Sequence, residues 1–113
     1  MIGGNKTAIF QVKKTVKDAI GSRVTKWVDV VLVRGFLDLV NGDSSYTYNA
    51  KLQESTHLFL CDYSALAGQG VTSENSRMVC EGQVYNVTLI DDPMRKHEHL
   101  EIYLKYVGAG TGA

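Results

Sequence analysis

The sequence predicts a mainly β protein, a small antiparallel β-barrel or rolled sheet of about six strands with two long loops and flexible termini. Three observations carry that prediction. Residues 77–106 read as strand, tight turn, strand, charged turn and strand. Residues 26–40 are almost continuously β-branched, aromatic or aliphatic, and residues 56–63 return to a short apolar run. Polar, glycine-containing stretches separate these runs, as turns and loops between strands require.

The first strand is expected over residues 7–13, where Ala8, Ile9, Phe10 and Val12 place apolar side chains on both faces, as in a strand entering a barrel. Residues 14–23 carry the turn formers Lys17-Asp18 and Gly21-Ser22 and predict an exposed hairpin connection. In the long second run, Gly35 predicts a bulge or sharp bend at which one strand serves two parts of the sheet. An amphipathic helix competes for this run, but its valine content and Gly35 oppose it. Trp27, the only tryptophan, is expected as a core anchor beside Val87 and Ile102.

Strand pattern stops after Val40. Residues 41–55 open with the turn signal Asn41-Gly42-Asp43 and continue through Ser44, Ser45, Tyr46, Thr47, Tyr48, Asn49, Lys51, Gln53 and Glu54. A long polar insertion between two strands of a compact domain is the leading functional segment, with a surface loop carrying a short helix over residues 48–54 as its structural alternative. A second loop, residues 64–76, contains Gly68-Gln69-Gly70 without the spacing of a phosphate-binding loop. In the final meander, Glu81-Gly82 offers the positive φ of a hairpin turn, and Pro93 ends the strand before Asp91-Asp92-Pro93 gives way to the last strand, residues 100–106. Residues 1–6 and 108–113 are expected as flexible tails of a single domain spanning residues 1–113.

Charge and chemistry narrow the function. With 113 residues and 12 basic against 12 acidic side chains, the chain has no overall field toward nucleic acid or an anionic membrane. No apolar run approaches the roughly 20 residues of a membrane span, and the first residues lack the pattern of a signal peptide, so the chain reads as made inside a cell. Cys61 and Cys80 sit in apolar patterns without zinc-site spacing and are expected as buried free thiols. His97 and His99 stand two apart, as two metal ligands on a strand would, but no third ligand accompanies them; no metal or cofactor is expected. Asp91 and Asp92 read as a solvated turn rather than paired catalytic carboxylates, and no nucleophile constellation is present, so no enzyme is predicted.

The order of these pieces resembles one family. The Trp27-Val28-Asp29 strand start, the polar stretch before Thr56-His57, the Arg77-Met78-Val79 step, the Gly82 to Val87 strand, the Asp92-Pro93 turn and the closing Leu100-Glu101-Ile102 strand resemble the head-closure proteins of long-tailed bacteriophages. These are also called head-tail joining, head completion or stopper proteins. The resemblance covers residues 10–107 and implies a structural virion protein of the neck, assembled in the bacterial cytoplasm. It implies a homo-oligomeric, dodecameric ring that lies below portal and adaptor, closes the DNA-filled head and gives the tail a docking surface. It also implies that residues 41–55 project into the channel against packaged DNA, which is contacted without sequence specificity. Two other readings are carried. One is a different neck protein, such as a tail terminator; the other is a barrel-type nucleic-acid module, which needs a basic groove with exposed aromatics. Lys13, Lys14 and Lys17 cluster in sequence, but no aromatic alternates with them.

Overall fold

In the computed structural model, which describes residues 4–39 and 55–109, six antiparallel strands close into a barrel. They are β1 (Lys6–Lys17), β2 (Arg23–Leu39), β3 (His57–Asp62), β4 (Ser76–Cys80), β5 (Gln83–Asp91) and β6 (His99–Ala109), with a one-turn helix α1 (Tyr63–Leu66) after β3. Around the barrel the order is β1-β2-β3-β6-β5-β4. The mainly β architecture predicted from the sequence is therefore present.

Strand alternation builds the interior. Ala8 and Phe10 of β1, Phe59 and Cys61 of β3, Met78 and Cys80 of β4, and Leu100, Ile102 and Leu104 of β6 are buried every second residue. Phe10 and Phe59 meet edge to face with centroids 5.9 Å apart, near the favoured geometry for aromatic pairs. Both thiols are free and buried, as expected. Burial, with the nearby Asp62 carboxylate, pushes the Cys61 thiol up to about 12.

Closure needs bends, and the structure puts them at specific residues. Val30 is the extra residue of a bulge in β2, because Phe10 faces Val31 while Gln11 faces Asp29. Thr88 is likewise extra in β5, between the Val87–Leu104 and Leu89–Tyr103 pairs. Gly35, where a bulge or bend was expected, has a different role. A Cβ there would lie 2.2 Å from the Leu60 carbonyl oxygen and 2.7 Å from the Phe59 ring, so the position admits no side chain where β2 closes onto β3. The expectation that this strand serves two parts of the sheet holds: β2 pairs with β1 from Arg23 to Gly35 and with β3 from Phe36 to Leu39.

The hairpin at Glu81-Gly82 forms as read, with φ of 52° and 76° in the two-residue turn. Other boundaries move. Residues 14–17 are strand rather than loop, because β2 supplies a paired neighbour through Lys17–Arg23. The true turn is residues 18–22, where the Asp18 carboxylate accepts from the Ile20 and Ser22 amides at 3.0 and 2.9 Å. Helix α1 takes Tyr63 from the end of the expected strand and residues 64–66 from the expected second loop, and buries Leu66 on the core. Of the positions expected in tails, Lys6 is the first residue of β1, and Gly108 and Ala109 belong to β6, with Ala109 paired to Gln83.

Candidate functional site

Antiparallel order gives the barrel two ends with different equipment. At one end β2 finishes at Leu39 and β3 starts at His57, beside the Glu81-Gly82 turn and the end of β6. At the other end the β1–β2 hairpin runs on past the point where β4 stops pairing, so that residues 13–28 form a two-stranded arm. The described chain is accordingly elongated, 50 Å against 29 and 26 Å.

The described residues that flank the expected channel segment, Leu39 and Ser55, stand at the first end. Asp43, Ser44, Ser45, Tyr46, Thr47, Tyr48, Asn49, Lys51, Gln53 and Glu54, with the alternative short helix over residues 48–54, lie outside the described residues. Their attachment points are clear. Leu39, at the exit, is 72% exposed, whereas the chain returns through Ser55, which is buried with its hydroxyl 2.6 Å from that of Thr88. The Thr56 amide donates to the Leu104 carbonyl at 2.7 Å, and its hydroxyl accepts from the Tyr106 amide at 2.7 Å. The entry of β3 is thus clamped to β6 before the ladder begins. Around it His57, Tyr85 and Tyr106 group their rings, with centroids 4.9 Å apart for His57–Tyr85 and 5.5 Å for Tyr85–Tyr106. Partial burial in this group lowers the His57 pKa below its ordinary value.

The arm at the second end corrects the role expected of Trp27. It is not a core anchor: its side chain is half-buried, outside the core cluster and away from Val87 and Ile102, which are core residues. The register explains this. Trp27 faces Lys13, one pair beyond the last contact of β1 with β4, on the face that continues the barrel exterior. There the Arg77 guanidinium covers its ring at 4.4 Å and the Lys13 ammonium lies 5.6 Å from the ring centre. Arg77 Nε donates to Gln11 Oε1 at 2.6 Å, and Gln11 Nε2 donates to Asp29 Oδ1 at 2.7 Å. Gln11, a buried polar side chain, is satisfied by these bonds and links β4 to both strands of the arm at its base. Sequence reading did not single out Gln11, and it placed Asp29 and Arg77 only in two separate pieces of the family resemblance; the strand register brings the three together.

The histidines near the last strand do not converge. His97 Nδ1 is 2.5 Å from Asp92 Oδ2 and its ring lies against Tyr63, whereas His99 Nε2 faces Glu101 at 3.6 Å. Asp92 is more than a solvated turn residue, because its other oxygen accepts from the His97 amide at 3.0 Å and holds the reversal before β6. Among the described residues, no group of three or more His, Cys, Asp or Glu side chains is placed to hold a metal ion. No described helix is long and apolar enough to cross a membrane.

Two solved structures share the architecture. The solution structure of protein SF1141 from Shigella flexneri 2a matches with a TM-score of 0.70 at 19% identity, covering 92% of this chain and 93% of that one. A chain from the virion of a native gene transfer agent particle matches with a TM-score of 0.60 at 12% identity, covering 93% and 96%. At these identities the likeness is one of fold. No curated protein matches the chain in sequence. The family model of the phage head completion protein does match, over residues 4–105 and hence across the barrel, the arm and both attachment points of the polar segment, and the chain therefore belongs to the phage head completion protein family.

Proposed function

We propose that this protein closes the DNA-filled phage head as a homo-oligomeric, dodecameric ring below portal and adaptor, and that its opposite surface receives the tail. In this reading residues 41–54, the expected stopper segment without its buried last residue Ser55, converge with their symmetry mates across the channel. The observation that carries it is the asymmetry of the barrel ends in a chain of the head completion family. The described flanks of the polar segment, an exposed Leu39 and a buried, hydrogen-bonded Ser55, stand at a single barrel end. A rigid closed barrel with one long insertion at its mouth suits a ring whose walls are fixed and whose closure is made by loops. The role is structural and involves no chemical step.

Replacing residues 41–54 by a short Gly-Ser connector tests the stopper. Loop length changes stability slowly, and Ser55 with its Thr88 contact is kept, so the barrel is expected to fold. Added to packaged heads that carry portal and adaptor, the shortened protein is expected to bind and yet let DNA escape. Heads that retain DNA as well as with the unaltered chain would refute the stopper role. Binding to isolated tails instead of heads would refute the position below the adaptor.

A further inference from the structure

We infer that the outer face of the arm, residues 13–28, is a binding surface for the phosphate backbone of duplex DNA. This goes beyond the closure role and stands on the arm's own charge pattern. The arm carries Lys13, Lys14, Lys17, Arg23 and Lys26 against one acid, Asp18, in a chain whose net charge is zero. The Asp18 carboxylate is occupied by the tip amides. All five cations are exposed, and among the described residues none is in an ion pair with a carboxylate.

The register makes this pattern unfavourable for the arm alone. Lys14 stands directly opposite Lys26, and Lys17 opposite Arg23. Like charges directly across a ladder repel, whereas a polyanion bound on the outer face converts the Lys17–Arg23 pair there into attraction. Directly opposed residues share a face, so Lys13, Thr15 and Lys17 of β1 lie with Trp27, Thr25 and Arg23 of β2, and Arg77 of β4 covers the ring of Trp27 at the base. That face offers ammonium, guanidinium and hydroxyl donors in rows about 7 Å apart. The other face continues the barrel interior and carries Val16, Val24 and Val28, with the Lys14–Lys26 pair set between these valines.

A DNA backbone fits the outer face better than an acidic protein does. Protein interfaces have apolar centres and are depleted in Lys, whereas phosphate contacts are made by Lys, Arg and Thr side chains. A two-stranded ribbon is also narrow enough to enter a major groove. The basic surface with an aromatic, not visible in the linear sequence, is assembled by cross-strand pairing of Lys13 with Trp27.

Anisotropy titration of the full chain with a short fluorescein-labelled duplex of mixed sequence, repeated across salt concentrations, tests the inference. Lys13, Lys17, Arg23 and Arg77 together predict a log–log salt slope of about −3 to −4, from about −0.9 per phosphate neutralised. The double variant Lys17→Gln/Arg23→Gln, which removes a repulsive pair and is expected to fold, should make the slope shallower by about 2 and weaken binding at low salt about tenfold. Lys105→Gln, exposed on β6, which pairs with β3 and β5 and not with the arm, should change neither value. Absence of salt-dependent binding by the unaltered chain, or equal slopes for it and the arm variant, would overturn the inference. Equal loss of slope in Lys14→Gln/Lys26→Gln would overturn the choice of face. Displacement of the duplex by poly-glutamate at equal charge concentration would overturn DNA as the partner in favour of an acidic protein.

Discussion

The barrel and the arm are made from the same two strands and are held together by different forces. In the barrel half, β1 pairs with β2 on one side and β4 on the other, and Ala8 and Phe10 are fully buried. In the arm half it pairs with β2 alone, and residues 13–17 are exposed. Burial of apolar area stabilises the first; ladder hydrogen bonds, the Asp18 turn and the cover of Arg77 on Trp27 stabilise the second. A two-stranded ribbon is marginal in water by itself, so the arm depends on the barrel for its order. The identities of barrel residues are therefore set by packing, whereas those of the arm are free to be set by what it touches.

The sharpest way to break this contrast is by truncation. Phe59→Ala removes a fully buried ring that packs on Phe10 and against the closure at Gly35, and about 3–5 kcal/mol of stability is expected to go with it. That is a large share of the roughly 5–15 kcal/mol typical of a domain. Ile20→Ser at the arm tip, 86% exposed, should stay within about 0.5 kcal/mol. Denaturant unfolding of both variants checks the pair, and similar losses would mean that arm and barrel form one packing unit.

Trp27 sits at the join and should behave as an intermediate. Its half-buried ring and its contact with Arg77 predict a loss of about 1–2 kcal/mol for Trp27→Ala, well short of a core truncation. A double-mutant cycle with Arg77→Met isolates the ring–guanidinium part, expected at about 0.5–1 kcal/mol. A loss of core size would return Trp27 to the role its residue type alone suggests.

What was legible in the sequence follows the same division. The Glu81-Gly82 hairpin, the alternation of Leu100, Ile102 and Leu104, and the burial of Cys61 and Cys80 could be read because each rests on local pattern or residue type. The strand character of residues 14–17 could not, since Lys and Thr there have no apolar period and gain order only from residues 23–26 opposite. Gly35 was recognised as special, but its reason is a contact with Leu60 and Phe59, more than twenty residues away in sequence. The same holds for the Arg77–Gln11–Asp29 chain and for the opposed cations of the arm, which exist only once the register is known. At the opposite end, the polar character of residues 41–55 marked the segment, and its entry through Ser55 and Thr56 required the fold.

The smallest expected effect lies at that opposite end and concerns acid. His57 packs against Tyr85 where the chain re-enters the barrel, and burial lowers its pKa in the folded state. The fold therefore prefers the neutral ring. The stability this gives is fully present above the unfolded value of about 6.5, and it is lost as pH falls from there through the lower folded value. His57→Gln keeps a polar planar side chain beside Thr56 and Tyr85 and removes the titration. Thermal unfolding at pH 7.5 and 5.5 should then show a smaller acid-induced fall for the variant than for the unaltered chain, while variants of the arm such as Ile20→Ser keep the full fall. An equal fall in His57→Gln would mean that the protonated ring is tolerated at this barrel end, and that the clamp on β3 is made by the Ser55 and Thr56 hydrogen bonds without help from a neutral His57.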